Sequence, residues 1–204
     1  MNRTLRRLAV AGSGLLATAI LAACGAHTHG EATSHDASGS ASGSASESEP
    51  ATFNTADVEF ARNMIMHDRQ TAEMVQTAET RAENAQVKDL VARIKQAQEP
   101  EIALLSDLLR QWGQAPAPTG SVGSGGGIPG MITDQEMKDL MAASGRDFDR
   151  KFLQLMIRHQ QGAIELAIAE QQEGENPRAK QLAGTVATDR AAEIRQMEDL
   201  LTRL

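Results

Sequence analysis

Aromatic residues are almost missing from this 204-residue chain, which has four Phe, one Trp and no Tyr. Strands draw on aromatic and β-branched side chains, so this scarcity, beside abundant Ala, Leu, Gln, Glu and Met, favours helix. The single cysteine, Cys24, excludes an intramolecular disulfide. Clusters of basic residues are also missing and the formal charge is −7, which argues against nucleic acid as a partner. No Gly-x-Ser-x-Gly elbow is present, and Gly125-Gly126-Gly127 lacks the Lys-Ser or Lys-Thr that would complete a phosphate loop. With no catalytic motif in view, the chain reads as a binding protein rather than an enzyme.

What is present is one stretch written twice. Phe60 to His67 contains Met64-Ile65-Met66-His67, and Phe152 to His159 contains Met156-Ile157-Arg158-His159, at an offset of 92. The register continues without a gap. Asp57 falls on Asp149, Asn84 on Asn176, Lys88 on Lys180, Leu90 on Leu182, Glu101-Ile102 on Glu193-Ile194, and Leu108-Leu109 on Leu200-Leu201. Such a repeat points to duplication of a helix–turn–helix unit.

Residues 1–23 have the layout of an export signal: Arg3, Arg6 and Arg7, then an apolar run from Leu8 to Ile20 that is too short to span a membrane. Leu21-Ala22-Ala23-Cys24 resembles the bacterial lipobox, in which the cysteine thiol is lipidated after cleavage. The expectation is a protein carried to the outer face of the cytoplasmic membrane and held there through Cys24. Residues 24–52 are Ser, Ala, Gly and acidic residues with no apolar period, as in a flexible tether. His27, His29 and His35 within it could catch metal loosely or be incidental.

Residues 53–204 carry the helical pattern. Thr55 to Asp57 can open a first helix that runs to about Arg81, with Phe60, Met64, His67, Thr71, Met74 and Ala78 on one face. After a turn at Glu83-Asn84, a second helix reaches Trp112 with a stripe of Val87, Leu90, Val91, Ile94, Leu104, Leu105, Leu108 and Leu109. Pro100 interrupts it and should kink it. A connector, 114–146, is rich in Gly, Pro and Ser, has an apolar patch at Ile128 to Met131, and includes a short helix opened by Thr133 and Glu136 as a capping box. A third long helix spans roughly Phe148 to Gln172, with Phe152, Met156, His159, Ala163 and Leu166 inward. Asn176 and Pro177 open the fourth. The halves 55–113 and 147–204 then form an all-α four-helix bundle across a pseudo-twofold.

The spacing of seven through Ile94, Glu101 and Leu108, repeated in Val186, Glu193 and Leu200, turns one carboxylate of each half inward with His67 and His159. Buried ionisable groups are costly unless paired or bound to metal. Two readings stay open on the residues: each His bonds a Glu and fixes the packing register, or the bundle core holds a metal. Di-iron bundles use Glu-x-x-His. Here the residue three before each His is Met64 or Met156, and thioether with imidazole suits Cu(I) rather than Fe(III). Missing Glu-x-x-His pairs make a dinuclear redox enzyme the weakest reading. Met66, Met74 and Met197 add sulfur, although methionine is also a common core filler.

The pattern Asp-x-x-Phe-x-x-x-Met-Ile-x-His, with Gln161-Gly162-Ala163-Ile164-Glu165-Leu166-Ala167 in the second copy, resembles the bacterial family called domain of unknown function 305. The likeness covers about residues 53–204. It implies a secreted or lipid-anchored, ferritin-like four-helix bundle without established enzymatic activity, some of whose members are implicated in binding copper. His67 and His159 match the first of two adjacent histidines in the motif, Met64 and Met156 its methionine, and Met74 the later one. The second histidines are replaced by Asp68 and Gln160, and the later methionine of copy two by Leu166. The site set is thus Met64, His67, Met74, Met156 and His159, with Glu101 and Glu193 as ligands or supporting groups. The partners implied are a metal ion and the membrane, and pairing of two molecules through the helices stays open.

Overall fold

A computed structural model describes residues 52–119 and 127–204. The export signal, Cys24, the tether and His27, His29 and His35 lie outside the described residues. Within them the order is α1 (Thr55–Arg81), α2 (Ala85–Gln111), α3 (Asp134–Ala142), α4 (Gly145–Glu173) and α5 (Pro177–Arg203), with no strand among the described residues.

The turns explain the boundaries. Asn84 accepts from the amides of Gln86 and Val87 to start α2, and Asn176 accepts from those of Arg178 and Ala179 to start α5. Asn54 with Asp57 closes a capping box on α1, and Thr133 with Glu136 closes one on α3. The third long helix begins at Gly145, ahead of the Phe148 expected from the apolar pattern. Pro100 sits inside α2, which runs through it to Gln111.

A second set of caps crosses between the halves. Asp57 accepts from the amides of Glu175 (3.2 Å) and Asn176 (2.9 Å) in the α4–α5 turn. Asp149 accepts from Glu83 (3.1 Å) and Asn84 (2.8 Å) in the α1–α2 turn. These two pairs of bonds are the same contact read at the offset of 92, so each half ties down the turn of the other. Burial alone would raise the Asp57 pKa, but the amides of Asn54, Asn176 and Glu175 outweigh it and hold the carboxyl below its ordinary value.

The apolar core falls into two parts. One gathers Met74, Val75, Leu90, Ile94, Phe148, Phe152, Met156 and Met197. The other gathers Phe60, Met64, Ile65, Leu105, Leu108, Ala163 and Val186. Each fully buried side chain of this size stabilises the fold by about 1.5–3 kcal/mol. The first part takes the later turns of α1 and the earlier turns of α4, and the second takes the reverse. Hence α1 and α4 run antiparallel, and on all four long helices the residues lying between the two parts are polar. Here, at mid-bundle, are His67, Asp68, Thr71, Gln98, His159, Gln160 and Arg190, all buried.

The four helices are not evenly spaced. α1 packs on α2, α4 on α5, and α1 on α4, whereas α2 and α5 touch sparsely. Between α2 and α5 a cavity of about 460 Å³ opens, with Pro100, Leu104 and Val186 on its walls and Glu101, Arg190 and Glu193 among its lining.

Candidate functional site

The inner stripes of α1 and α4 bring His67 and His159 face to face. Their ring centroids are 3.7 Å apart, the planes differ by 19°, and the residues are 1% and 0% exposed. The helical periods in the sequence place both imidazoles inside; only the antiparallel α1–α4 contact stacks them.

Neither imidazole bonds a carboxylate, so the reading with His–Glu pairs in the core does not hold for these bonds. The His67 Nε2–H donates to Pro129 O at 3.2 Å. Around His159, Nδ1 faces Gly130 O at 3.2 Å, while Nε2 lies 3.0 Å from Thr71 Oγ1 and 3.1 Å from His67 O. Burial lowers the pKa of both rings, that of His159 to about 4, and His159 and Arg190 add repulsion at His67. Both are therefore neutral at pH 7. Both nitrogens of His159 thus face a carbonyl, and the Thr71 hydroxyl donates to His67 O at 3.2 Å, the same oxygen that Nε2 meets. His67 carries its proton on Nε2.

Pro129 and Gly130 belong to the apolar patch of the connector, which lies over the histidine pair. Gln70 holds this strap by donating to Ile132 O at 2.7 Å and accepting from the Ile132 amide at 2.6 Å. Gly130 adopts φ +74°, a region open to glycine, and a Cβ there would sit 2.8 Å from Gly162 Cα. A Cβ on Gly162 would run into the backbone of Pro129 and lie 2.6 Å from Gly130 Cα. Two glycines let strap and helix touch.

Glu101 and Glu193 do face the interior side of their helices, but toward a guanidinium. Arg190 Nη2 bonds Glu101 Oε2 at 2.8 Å and lies 3.6 Å from Asp68 Oδ1, and Nη1 lies 3.6 Å from Glu193 Oε1. Gln160 donates to Glu193 Oε2 at 2.6 Å. With its amide oriented to satisfy both neighbours, Gln98 donates to Asp68 Oδ1 at 3.0 Å and accepts from Arg190 Nη2 at 3.2 Å. Burial pushes Asp68 well above the usual carboxylate range, and Glu101 reinforces the shift. Burial also raises Glu101 and Glu193. At Arg190 burial works downward, but Glu101, Asp68 and Glu193 outweigh it and the guanidinium stays charged.

Arg190 and Gln98 are absent from the set of inner residues assigned by sequence, although the signal was there. Positions 183, 186, 190, 193, 197 and 200 alternate in steps of three and four, which puts Arg190 on the buried stripe of α5. Gln98 holds the same place on α2, 92 residues earlier. Asp68 and Gln160, the residues standing where the motif has second histidines, both turn into this network.

The methionines divide across the polar layer. Met64 lies in one part of the core, and Met74, Met156 and Met197 lie in the other; all four are fully buried. Among the described residues no three of His, Cys, Asp and Glu converge as a metal site would require. Any soft-metal donor set in the core therefore has to combine the two neutral imidazoles with thioethers, a chemistry matching Cu(I).

An antiparallel helical bundle with a stacked, buried pair of histidines at its centre is the class that fold and site define. The family model described as Domain of unknown function (DUF305) matches residues 57–201, and the chain belongs to that family. A DUF305 fragment from Deinococcus radiodurans is 28% identical, covering 74% of this chain and 98% of that one at a TM-score of 0.68. A DUF305 protein from Streptomyces coelicolor, described as secreted, is 31% identical over 72% of this chain and 91% of that one, at a TM-score of 0.66. CopM in its Cu(I)-bound form is 28% identical over 72% of this chain and 96% of that one, at a TM-score of 0.61. Its Cu(II)-bound form has a TM-score of 0.64 to this chain. Among curated proteins none is similar to it.

Proposed function

We propose that this protein is an extracytoplasmic, lipid-anchored binder of copper, preferring Cu(I), that buffers the ion or hands it on without turning over a substrate. The observation that carries the reading is the pair of neutral, stacked imidazoles between buried thioethers. It is supported by the likeness to CopM, described in Cu(I)- and Cu(II)-bound forms, and by the secreted relative. The export signal and the lipobox at Cys24 support the location. His67 and His159 would supply nitrogen, and Met64, Met74 and Met156 sulfur. Glu101 and Glu193, held by Arg190 and Gln160, would act from behind the site rather than on the ion. We read the two halves as products of duplication, supported by the reciprocal caps of Asp57 and Asp149.

One observation favours a second reading, a metal-free interaction module. A strap carbonyl already faces a ring nitrogen of each imidazole, as a purely structural core would require. Titration of the purified protein with Cu(I) against a competing chelator separates the two, run beside His67→Ala and Met64→Leu. Tight binding of about one ion, weakened in both variants, supports copper. Equal weak uptake by all three proteins would rule the core site out.

A further inference from the structure

We propose that the cavity between α2 and α5 binds a small aliphatic amine, with the ammonium group between Glu101 and Glu193 and the apolar body against Pro100, Leu104 and Val186. The site uses neither the histidines nor the methionines, so it goes beyond the copper reading.

The cavity lies where the two halves meet. Leu90 and Leu182, Pro100 and Ala192, and Glu101 and Glu193 all line it, each pair at the offset of 92. Because α2 and α5 touch sparsely, about 460 Å³ is left between them. Aliphatic walls with a few convergent polar groups are the usual make-up of a small-molecule site of this size.

Each glutamate has one oxygen engaged and one to spare. Glu101 Oε2 takes Arg190 at 2.8 Å, while Oε1, on a side chain 10% exposed, is buried with no hydrogen-bond partner among the described residues. Glu193 Oε2 takes Gln160 at 2.6 Å, while its Oε1 has Arg190 Nη1 at 3.6 Å, beyond hydrogen-bond reach. A buried acceptor left without a donor is costly, so a ligand that brings one is stabilised there. The charges give its sign. Arg190 answers two glutamates with one guanidinium, which leaves one negative charge over at the floor, while the exposed Arg93 and Asp189 offset each other. An ammonium supplies three donors and one positive charge. A divalent metal fits less well. The guanidinium already stands among the carboxylates, and no three of His, Cys, Asp and Glu converge among the described residues. A polyamine would set its further charges against aliphatic walls, which is costly.

The test is titration of the purified full chain with hexylamine at neutral pH, followed by amide and methyl NMR shifts. Hexylamine should saturate shifts around Glu101, Leu104 and Val186 with a Kd below about 1 mM. Hexan-1-ol, of equal length but uncharged, should bind at least about tenfold more weakly, and spermidine should bind no tighter than hexylamine. Glu101→Gln should bring hexylamine down to the level of the alcohol. Leu104→Trp, at a half-buried place on the wall, should fill the cavity and abolish binding of both without touching a charge. That second variant decides the matter should Glu101→Gln fail to fold. No saturable shift with hexylamine, an alcohol or polyamine bound more tightly than it, or unchanged affinity in either folded variant would overturn the proposal.

Discussion

The two halves share one plan at the ends of the bundle and differ in its middle. At the ends of the bundle the repeat is kept in substance: Asp57 and Asp149 cap each other's turns, and Asn84 and Asn176 start the following helices. At mid-bundle only the histidines and the glutamates are kept. Asp68 stands opposite Gln160, Gln98 opposite Arg190, Gln70 opposite Gly162 and Thr71 opposite Ala163. The ends fix the fold, and any departure there would cost both halves. In the middle the matched positions differ, and there one half supplies the guanidinium and the other the buried Asp68. A single charge placed once serves two glutamates related by the repeat.

That comparison breaks most sharply at Arg190. Arg190→Ala removes the buried cation that Asp68, Glu101 and Glu193 share, and should cost about 3–5 kcal/mol, the usual loss on removing one partner of a buried pair. Gln98→Ala, at the matching place, should cost about 1–3 kcal/mol because only neutral donors and acceptors are lost. Urea denaturation of the two variants checks this; equal losses would mean the guanidinium is not the organising charge.

At the ends the expected effect is smaller and more even. Asp57 takes three backbone amides (Asn54, Glu175, Asn176) and Asp149 takes two. Asp57→Ala should cost about 3 kcal/mol and Asp149→Ala about 2 kcal/mol. Melting temperatures in the reverse order would show that the two caps are not one contact repeated.

The pH dependence distinguishes the histidine pair from the other buried acids. His159 titrates near 4 in the fold against an ordinary 6.5. The unfolded chain then binds the proton first, and this group's contribution to stability is lost as pH falls from about 6.5 to about 4. Glu170, buried beside Asp57, is raised from an ordinary 4.5 to about 8 by burial first and Asp57 second. Its sign is the reverse: the folded state holds the proton more tightly, so stability declines as pH rises from 4.5 to about 8. His159→Gln should flatten the acid side of the stability profile relative to wild type, and Glu170→Gln the neutral side. A profile unmoved by either change would place these groups in water.

The smallest change in stability should come from the methionines. Met64→Leu and Met156→Leu keep volume and should each alter stability by less than about 1.5 kcal/mol. Cu(I) affinity, measured by chelator competition, should nevertheless drop in both. Equal stability with equal affinity would make them packing alone.

Much of this was legible in the chain. The caps, the inward faces of α1 and α4, the short helix after Thr133 and the all-α bundle follow from local periods and end signals, which a sequence states directly. Even Arg190 lies on a readable stripe. What that stripe could not state is who answers it: Glu101 comes from another helix 89 residues away, and Asp68 from a third. The reading in which each histidine bonds a glutamate fails for the same reason: the rings meet the connector carbonyls, Thr71 and His67 O, while the glutamates meet Arg190.

By itself the sequence determined which residues would be helical and which faces would be buried, because those properties depend on spacing along one helix. The tertiary structure alone decided that His67 and His159 stack, that carbonyls of the strap meet both rings, and that one arginine gathers three carboxylates. Those outcomes depend on how antiparallel helices and a loop meet in space, and hydrogen bonds between distant segments leave no period in the chain.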